Sequence, residues 1–133
     1  ALDLIIHDLE AVVGQELSPT DKLRQAMETY LVFLTEHLSL SSVLLLEHRS
    51  LEPELHDAHI PRRDHVESIW RDLIREGVQV GVFQDVDPAG AVRGLLGILN
   101  WTVTWYRPEG PLSPVEIADQ YADLFLSGLL NRG

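Results

Sequence analysis

Six histidines, a pair of tryptophans one helical turn apart and a sparse set of arginines are the residues of this chain whose types and spacing can carry chemistry. His56 and His59 stand at i and i+3, so a helix would put both imidazoles on one face, with Glu54, Asp57 and His65 nearby in sequence. Such a set can hold a divalent ion. The sequence contains neither an HExxH nor an ExxH pair, so a zinc-protease site and a di-iron carboxylate bundle are both unsignalled. The expectation is no native metal and no cofactor, with chance binding by surface histidines as the alternative. Serines, histidines and carboxylates are present, but no GxSxG elbow, phosphate loop or GxGxxG arranges them, so an enzyme is not expected. Trp101 and Trp105 at i and i+4 share one helix face, where each can bury a large aromatic surface and donate one indole hydrogen bond. A core, an interface or a flat apolar ligand would each answer that need. The triplet Glu47-His48-Arg49 follows an apolar segment and sits where a buried element meets polar surroundings.

Length and composition bound what can position these residues. The 133 residues are 45% hydrophobic, enough for one domain with a real core and too few for two ordinary ones, so residues 1–133 are expected to form a single domain. The absence of cysteine removes disulfides, thiolate metal sites and cysteine nucleophiles, and it fits a reducing compartment. Cytoplasm is the expected location. No stretch approaches the roughly 20 apolar residues that span a bilayer, so no membrane partner is expected. The 21 acidic and 10 basic residues give a formal net charge of −11. Binding to a phosphate backbone needs clustered Lys and Arg, so contact with nucleic acid by this chain itself is not expected.

Helical periodicity dominates the pattern. Leu2, Ile5, Ile6, Leu9, Val12 and Val13 follow helical spacing from the first residues with no capping residue ahead, which suggests a helix joined midway and a segment upstream. Ser18-Pro19 opens a helix whose stripe is Leu23, Met27, Tyr30, Leu31 and Leu34. Leu40 to Leu46 is apolar nearly all round and predicts a short buried helix. Glu52-Pro53 restarts the chain, and from about Pro61 a long helix carries Val66, Ile69, Trp70, Leu73 and Ile74 inside and Arg63, Glu67, Arg71, Asp72 and Arg75 outside. It weakens at Gly77 and Gly81. Asp87-Pro88 caps the tryptophan helix, Pro108, Gly110 and Pro111 break it, and Ser113-Pro114-Val115-Glu116 combines an N-cap, an N1 proline and a capping-box glutamate. The last helix shows a stripe of Ile117, Ala118, Tyr121, Leu124, Phe125, Gly128 and Leu129. Val78 to Val86 is the sole strand candidate, and glycine with aspartate interrupts it. The fold is expected to be all-α, a bundle of about six helices. Gly90, Gly94 and Gly97 recur near one-turn spacing in the tryptophan helix, where they either admit a close neighbour or merely loosen it.

Four features in this order resemble the C-terminal effector-binding domain of TetR-type transcriptional repressors. They are Glu76-Gly77-Val78-Gln79-Val80-Gly81-Val82-Phe83, Asp87-Pro88, Leu96-Gly97-Ile98-Leu99-Asn100-Trp101 running on to Trp105-Tyr106-Arg107-Pro108-Glu109-Gly110, and Leu124-Phe125-Leu126-Ser127-Gly128-Leu129. The tryptophan hairpin is similar to the branch of that family that responds to acyl-CoA thioesters.

The resemblance implies an effector-binding domain that pairs with a second copy, while operator DNA is bound by an N-terminal helix-turn-helix that this sequence does not contain. It implies that the last two helices form a four-helix dimer interface, with Leu95, Leu99, Val103, Tyr106, Tyr121, Leu124, Phe125 and Gly128 as its residues. It also implies a mostly apolar effector cavity lined by Phe33, Leu44, His48, Trp70, Asn100, Trp101 and Trp105. Arg49, Arg62 and Arg63 would meet an anionic part of the ligand such as a CoA phosphate, with ordinary surface pairing as the alternative. The tryptophans serve equally well as core or seam residues. A helical module that binds a partner protein and no small molecule is the other functional reading.

Overall fold

The computed structural model describes residues 2–46 and 53–131, with side chains for all of these except 44, 46 and 53–59. Among the described residues the chain forms α1 (Leu2–Val13), α2 (Pro19–Glu36), α3 (Leu38–Leu46), α4 (Pro53–Gln79), α5 (Pro88–Trp105) and α6 (Pro114–Leu129). The all-α expectation holds, and the reasons are local before they are tertiary. Three helices start on the same device, a proline at the first turn preceded by a side chain that accepts a backbone N–H. Ser18 Oγ accepts from Asp21 N at 3.2 Å, Asp87 Oδ2 from Gly90 N at 3.2 Å and Ser113 Oγ from Glu116 N at 3.2 Å. Glu116 Oε1 closes the capping box by accepting from Ser113 N at 2.9 Å. Each cap stabilises its helix by about 1 kcal/mol.

The core gathers around α2, which touches every other helix. Leu23, Ala26, Met27 and Leu31 of α2 are wholly buried, as are Ile5 and Leu9 of α1, Trp70 and Ile74 of α4, and Leu95 and Leu99 of α5. Burying one such large apolar side chain contributes about 1.5–3 kcal/mol. Charged pairs tie the outside of the same junctions: Arg24 to Asp123 of α6 at 2.7 Å, Asp3 to Arg62 between α1 and α4 at 2.8 Å, and Glu10 to His65 at 2.8 Å.

Four details differ from expectation. Helix α4 begins at Pro53 and runs through Pro61, which costs it one backbone hydrogen bond without ending it. In α6 the inward residues are Ile117, Ala118, Ala122, Leu126 and Leu129, while Leu124 is 66% exposed, because α6 is apolar over a wider arc than it buries. Helix α3 is only partly sunk: Ser41 is buried and Leu40 exposed. The 78–86 segment is no strand. It finishes α4, turns at Gly81 (φ +83°) and makes one isolated antiparallel bridge from Phe83 to Leu130. Phe83 closes against the end of α4, where a Cβ at Gly77 would overlap its ring. That close approach is what requires glycine at position 77.

A candidate effector cavity and an exposed tryptophan face

The cavity is a consequence of how five helices meet. Leu2 and Ile5 of α1, Phe33 and Leu34 of α2, Leu45 of α3, Val66 of α4, and Val92 and Leu96 of α5 supply apolar walls around about 680 Å³. That volume lies within the usual range for small-molecule sites, about 300–1,000 Å³. Gly97 leaves a gap on the α5 side, since a Cβ built there would meet nothing within 4 Å. The polar groups are few and placed. Tyr30 Oη donates to Asn100 Oδ1 at 2.5 Å. Burial pushes the Tyr30 hydroxyl far above the usual phenol range, partly offset by the hydrogen bond to Asn100, so it stays protonated as a donor. The other side of Tyr30 meets Trp70 edge-to-face, with centroids 5.5 Å apart and planes at 89°. Around the cavity stand Arg63, Glu67 and Arg71 of α4 and Arg93 of α5. Glu67 and Arg71 pair at 3.8 Å. Three arginines of a chain with only 10 basic residues therefore share one cavity lining. Inside a cavity wall such guanidiniums favour an anionic group.

Phe33, Asn100, Trp101 and Arg63 are the expected ligand residues that line this cavity. Trp70 is not on its surface. It is completely buried behind Tyr30, and its Nε1 has no hydrogen-bond partner among the described residues. Trp105 also lies away from the cavity, 43% exposed on the outer side of α5. Arg62 is bonded to Asp3 and is not part of the lining. The Leu44 side chain, His48 and Arg49 lie outside the described residues, as do the side chains of Glu54, His56, Asp57 and His59. Among the described residues no group of three or more His, Asp or Glu is arranged to hold a metal. Sequence reasoning missed Tyr30, Ser41, Arg71 and Arg93. The signal for Arg93 was present: Arg93, Gly97, Asn100 and Trp101 fall at i, i+4, i+7 and i+8 on one face of α5.

The expected dimer residues divide. Leu95 and Leu99 are fully buried and Val103 is 7% exposed, all inside the protomer's own core, so they present no surface to a partner. Tyr106, Tyr121 and Phe125 are partly buried against that core. Leu124 and Gly128 are exposed. The outer face of α5 is instead Gly94, Ile98, Trp101 and Trp105, one stripe at i, i+4, i+7 and i+11. Trp101 is 63% exposed and stands where this face meets the cavity.

Residues 16–129 match the model of the family described as tetracyclin repressor-like, C-terminal domain. The chain belongs to that family. The repressor-like domain is 25% identical over 142 residues to the HTH-type transcriptional repressor KstR2 of Mycolicibacterium smegmatis, covering 96% of this chain and 63% of the relative's length. Among solved structures it is similar to the TetR family transcriptional regulator PfmR of Thermus thermophilus, at 35% identity and TM-score 0.88 over 98% of this chain and 71% of that one. It is also similar to AibR, solved in complex with isovaleryl coenzyme A and operator DNA. There the identity is 25% and the TM-score 0.79 over 92% of this chain and 67% of that one. No helix of the described residues is long and apolar enough to cross a membrane.

Proposed function

We propose that this chain is the ligand-sensing and dimerisation domain of a transcriptional regulator, that its effector is an acyl-CoA thioester, and that operator DNA is bound by a helix-turn-helix head outside this sequence. The observation that carries the reading is the α1–α5 cavity, mostly apolar and with Arg63, Arg71 and Arg93 in its lining. An acyl group would occupy the apolar interior, and the phosphates of coenzyme A would remain near the arginines. The complex of a relative of the same fold with isovaleryl coenzyme A supports an acyl-CoA as the class of effector. The net charge of −11 supports leaving DNA contact to another part of the protein.

The second copy would dock on the outer stripe of α5 and the exposed part of α6. Gly94 and Gly128 leave room there for a neighbouring helix, and Trp101, Trp105 and Leu124 provide apolar area. An isologous contact would set these helices against their symmetry mates. A panel of acyl-CoA esters tests the ligand through thermal shift, since a compound that binds only the folded state raises the melting point. Sedimentation tests the dimer, and operator affinity of the full-length protein with and without the best ester tests the regulation. An operator affinity that ignores every ester in the panel would remove the acyl-CoA reading.

A further inference from the structure

Among the described residues, the Asn100 amide on the cavity wall is a hydrogen-bond donor with no acceptor. Tyr30 Oη and Asn100 Oδ1 are 2.5 Å apart, inside the range of O–H···O bonds and below that of N–H···O bonds, which orients the Asn100 oxygen toward α2. The buried phenol does not ionise near neutral pH, so this bond is a lasting restraint on the amide. Asn100 Nδ2 carries two N–H groups and has no partner among the described residues. Asn100 lines the cavity with the apolar Phe33, Leu34 and Leu96, and the buried Ser41 hydroxyl of the same lining is not bonded to it. Among the described residues Glu67 is the one carboxylate of the lining, and it is engaged with Arg71. An oriented amide donor on the wall, apart from the arginines, favours a ligand that brings an oxygen acceptor to it and disfavours a pure hydrocarbon, which would leave the donor unpaired.

The geometry points to Asn100 as the residue that reads a carbonyl oxygen on the effector, with Tyr30 as the positioning residue that fixes the amide. This rests on the cavity being the effector site, and it adds the chemistry that the effector must carry. Two sources supply that oxygen: the thioester carbonyl itself, or a ketone on the buried group. They predict different results.

The test is titration of the full-length protein with two matched pairs. Octanoyl-CoA against the octyl-CoA thioether differs by the thioester carbonyl, and cyclooctanone against cyclooctane, followed by displacement of an apolar fluorophore, isolates a ketone. The wild type should prefer the carbonyl member of at least one pair by about fivefold, the size of one net hydrogen bond. Asn100→Asp keeps the shape and the acceptor for Tyr30 but replaces the donor, and it should erase that preference. The ratio within each pair is the readout, because a carboxylate at position 100 changes the affinity for both members of a pair alike while only the carbonyl member loses a hydrogen bond. Tyr30→Phe should reduce the preference without abolishing it. A preference confined to the CoA pair assigns the thioester carbonyl, and one confined to the ketone pair assigns the buried group. If no CoA compound binds while the ketone preference depends on Asn100, the carbonyl inference stands and the acyl-CoA reading falls. A wild type indifferent within both pairs, or a preference that survives Asn100→Asp, overturns the inference. Should Asn100→Asp fail to fold, the wild-type preference and its response to Tyr30→Phe decide.

Discussion

Gly94→Ala separates what the protomer wants from what its assembly wants. Gly94 lies inside the 18-residue α5, and a Cβ there would meet nothing within 4 Å. A helix-interior glycine costs about 0.8–1.0 kcal/mol relative to alanine. No contact within the protomer offsets that cost, so the substitution should stabilise an isolated protomer by about 1 kcal/mol, or roughly 3–5 °C in melting point for a domain of this size. If the Gly94–Trp105 stripe is the seam between two copies, the same methyl group lies between closely approaching helices. Overpacking of that kind costs about 1–3 kcal/mol, which is roughly fivefold to more than a hundredfold in dimer dissociation. The two effects have opposite signs. Urea denaturation across a range of protein concentrations separates protomer stability from mass action, and sedimentation equilibrium reports the dimer. A variant with unchanged or lower protomer stability would refute the claim that nothing occupies this position within the fold. A variant that is stabilised and dimerises like the wild type would move the seam off this stripe.

Gly77→Ala should destabilise by about 1–3 kcal/mol, because its Cβ overlaps the Phe83 ring and the loop from α4 to α5 must shift to admit it; denaturant midpoints check this, and a neutral result would show that the loop relaxes freely. Leu31→Ala, in a wholly buried position on α2, should cost about 2–5 kcal/mol by the same assay. Ser113→Ala should cost about 1 kcal/mol through loss of the α6 cap, and a thermal melt is sufficient to see it. The bonds from Ser113 to the Glu116 carboxylate hold its pKa below the ordinary value of 4.5, so the folded state binds fewer protons there than the unfolded state. Its contribution is therefore complete above the ordinary carboxylate pKa and is lost as pH falls through the lower folded value. Glu116→Gln should flatten that part of the stability profile.

What the sequence made legible is what local chemistry decides. The Ser18-Pro19, Asp87-Pro88 and Ser113-Pro114 caps start helices by satisfying N–H groups within three residues, so no distant partner is needed to read them. The α2 and α4 stripes were legible because each separates cleanly into apolar and polar faces. Helix α5 does not. It carries apolar residues over most of its circumference, and which arc turns inward is set by the helices it meets. Leu95, Leu99 and Val103 therefore went to the core, while Gly94, Trp101 and Trp105 stayed outside. Of the polar row Arg63, Glu67, Arg71 only Arg63 was read as facing a ligand, for a related reason. The row's i, i+4, i+8 spacing is the same whether it faces bulk water or the mouth of a cavity, and only the placement of α5 opposite decides. Pro61 reads as a helix start because proline suits N1, whereas the continuity of α4 through it depends on the turns to either side.

The arrangement of α1 shows how occupancy of the cavity would be felt elsewhere. Its Leu2 and Ile5 form part of the cavity wall, and its Asp3 and Glu10 bond to Arg62 and His65 of α4, the helix that supplies Arg63, Val66 and Glu67 to the same cavity. The same pair of helices is thus both container and clasp. Exposed bridges of this kind contribute about 0–1 kcal/mol each, and a typical allosteric coupling is about 1–3 kcal/mol. The clasp is therefore weak enough for a ligand to open or tighten, and the apolar contact at Ile5 and Leu9 is strong enough to keep α1 attached throughout. On the proposed reading, an effector that prefers one α1–α4 spacing shifts the population of that spacing by its difference in affinity, and a head joined ahead of α1 would move with it.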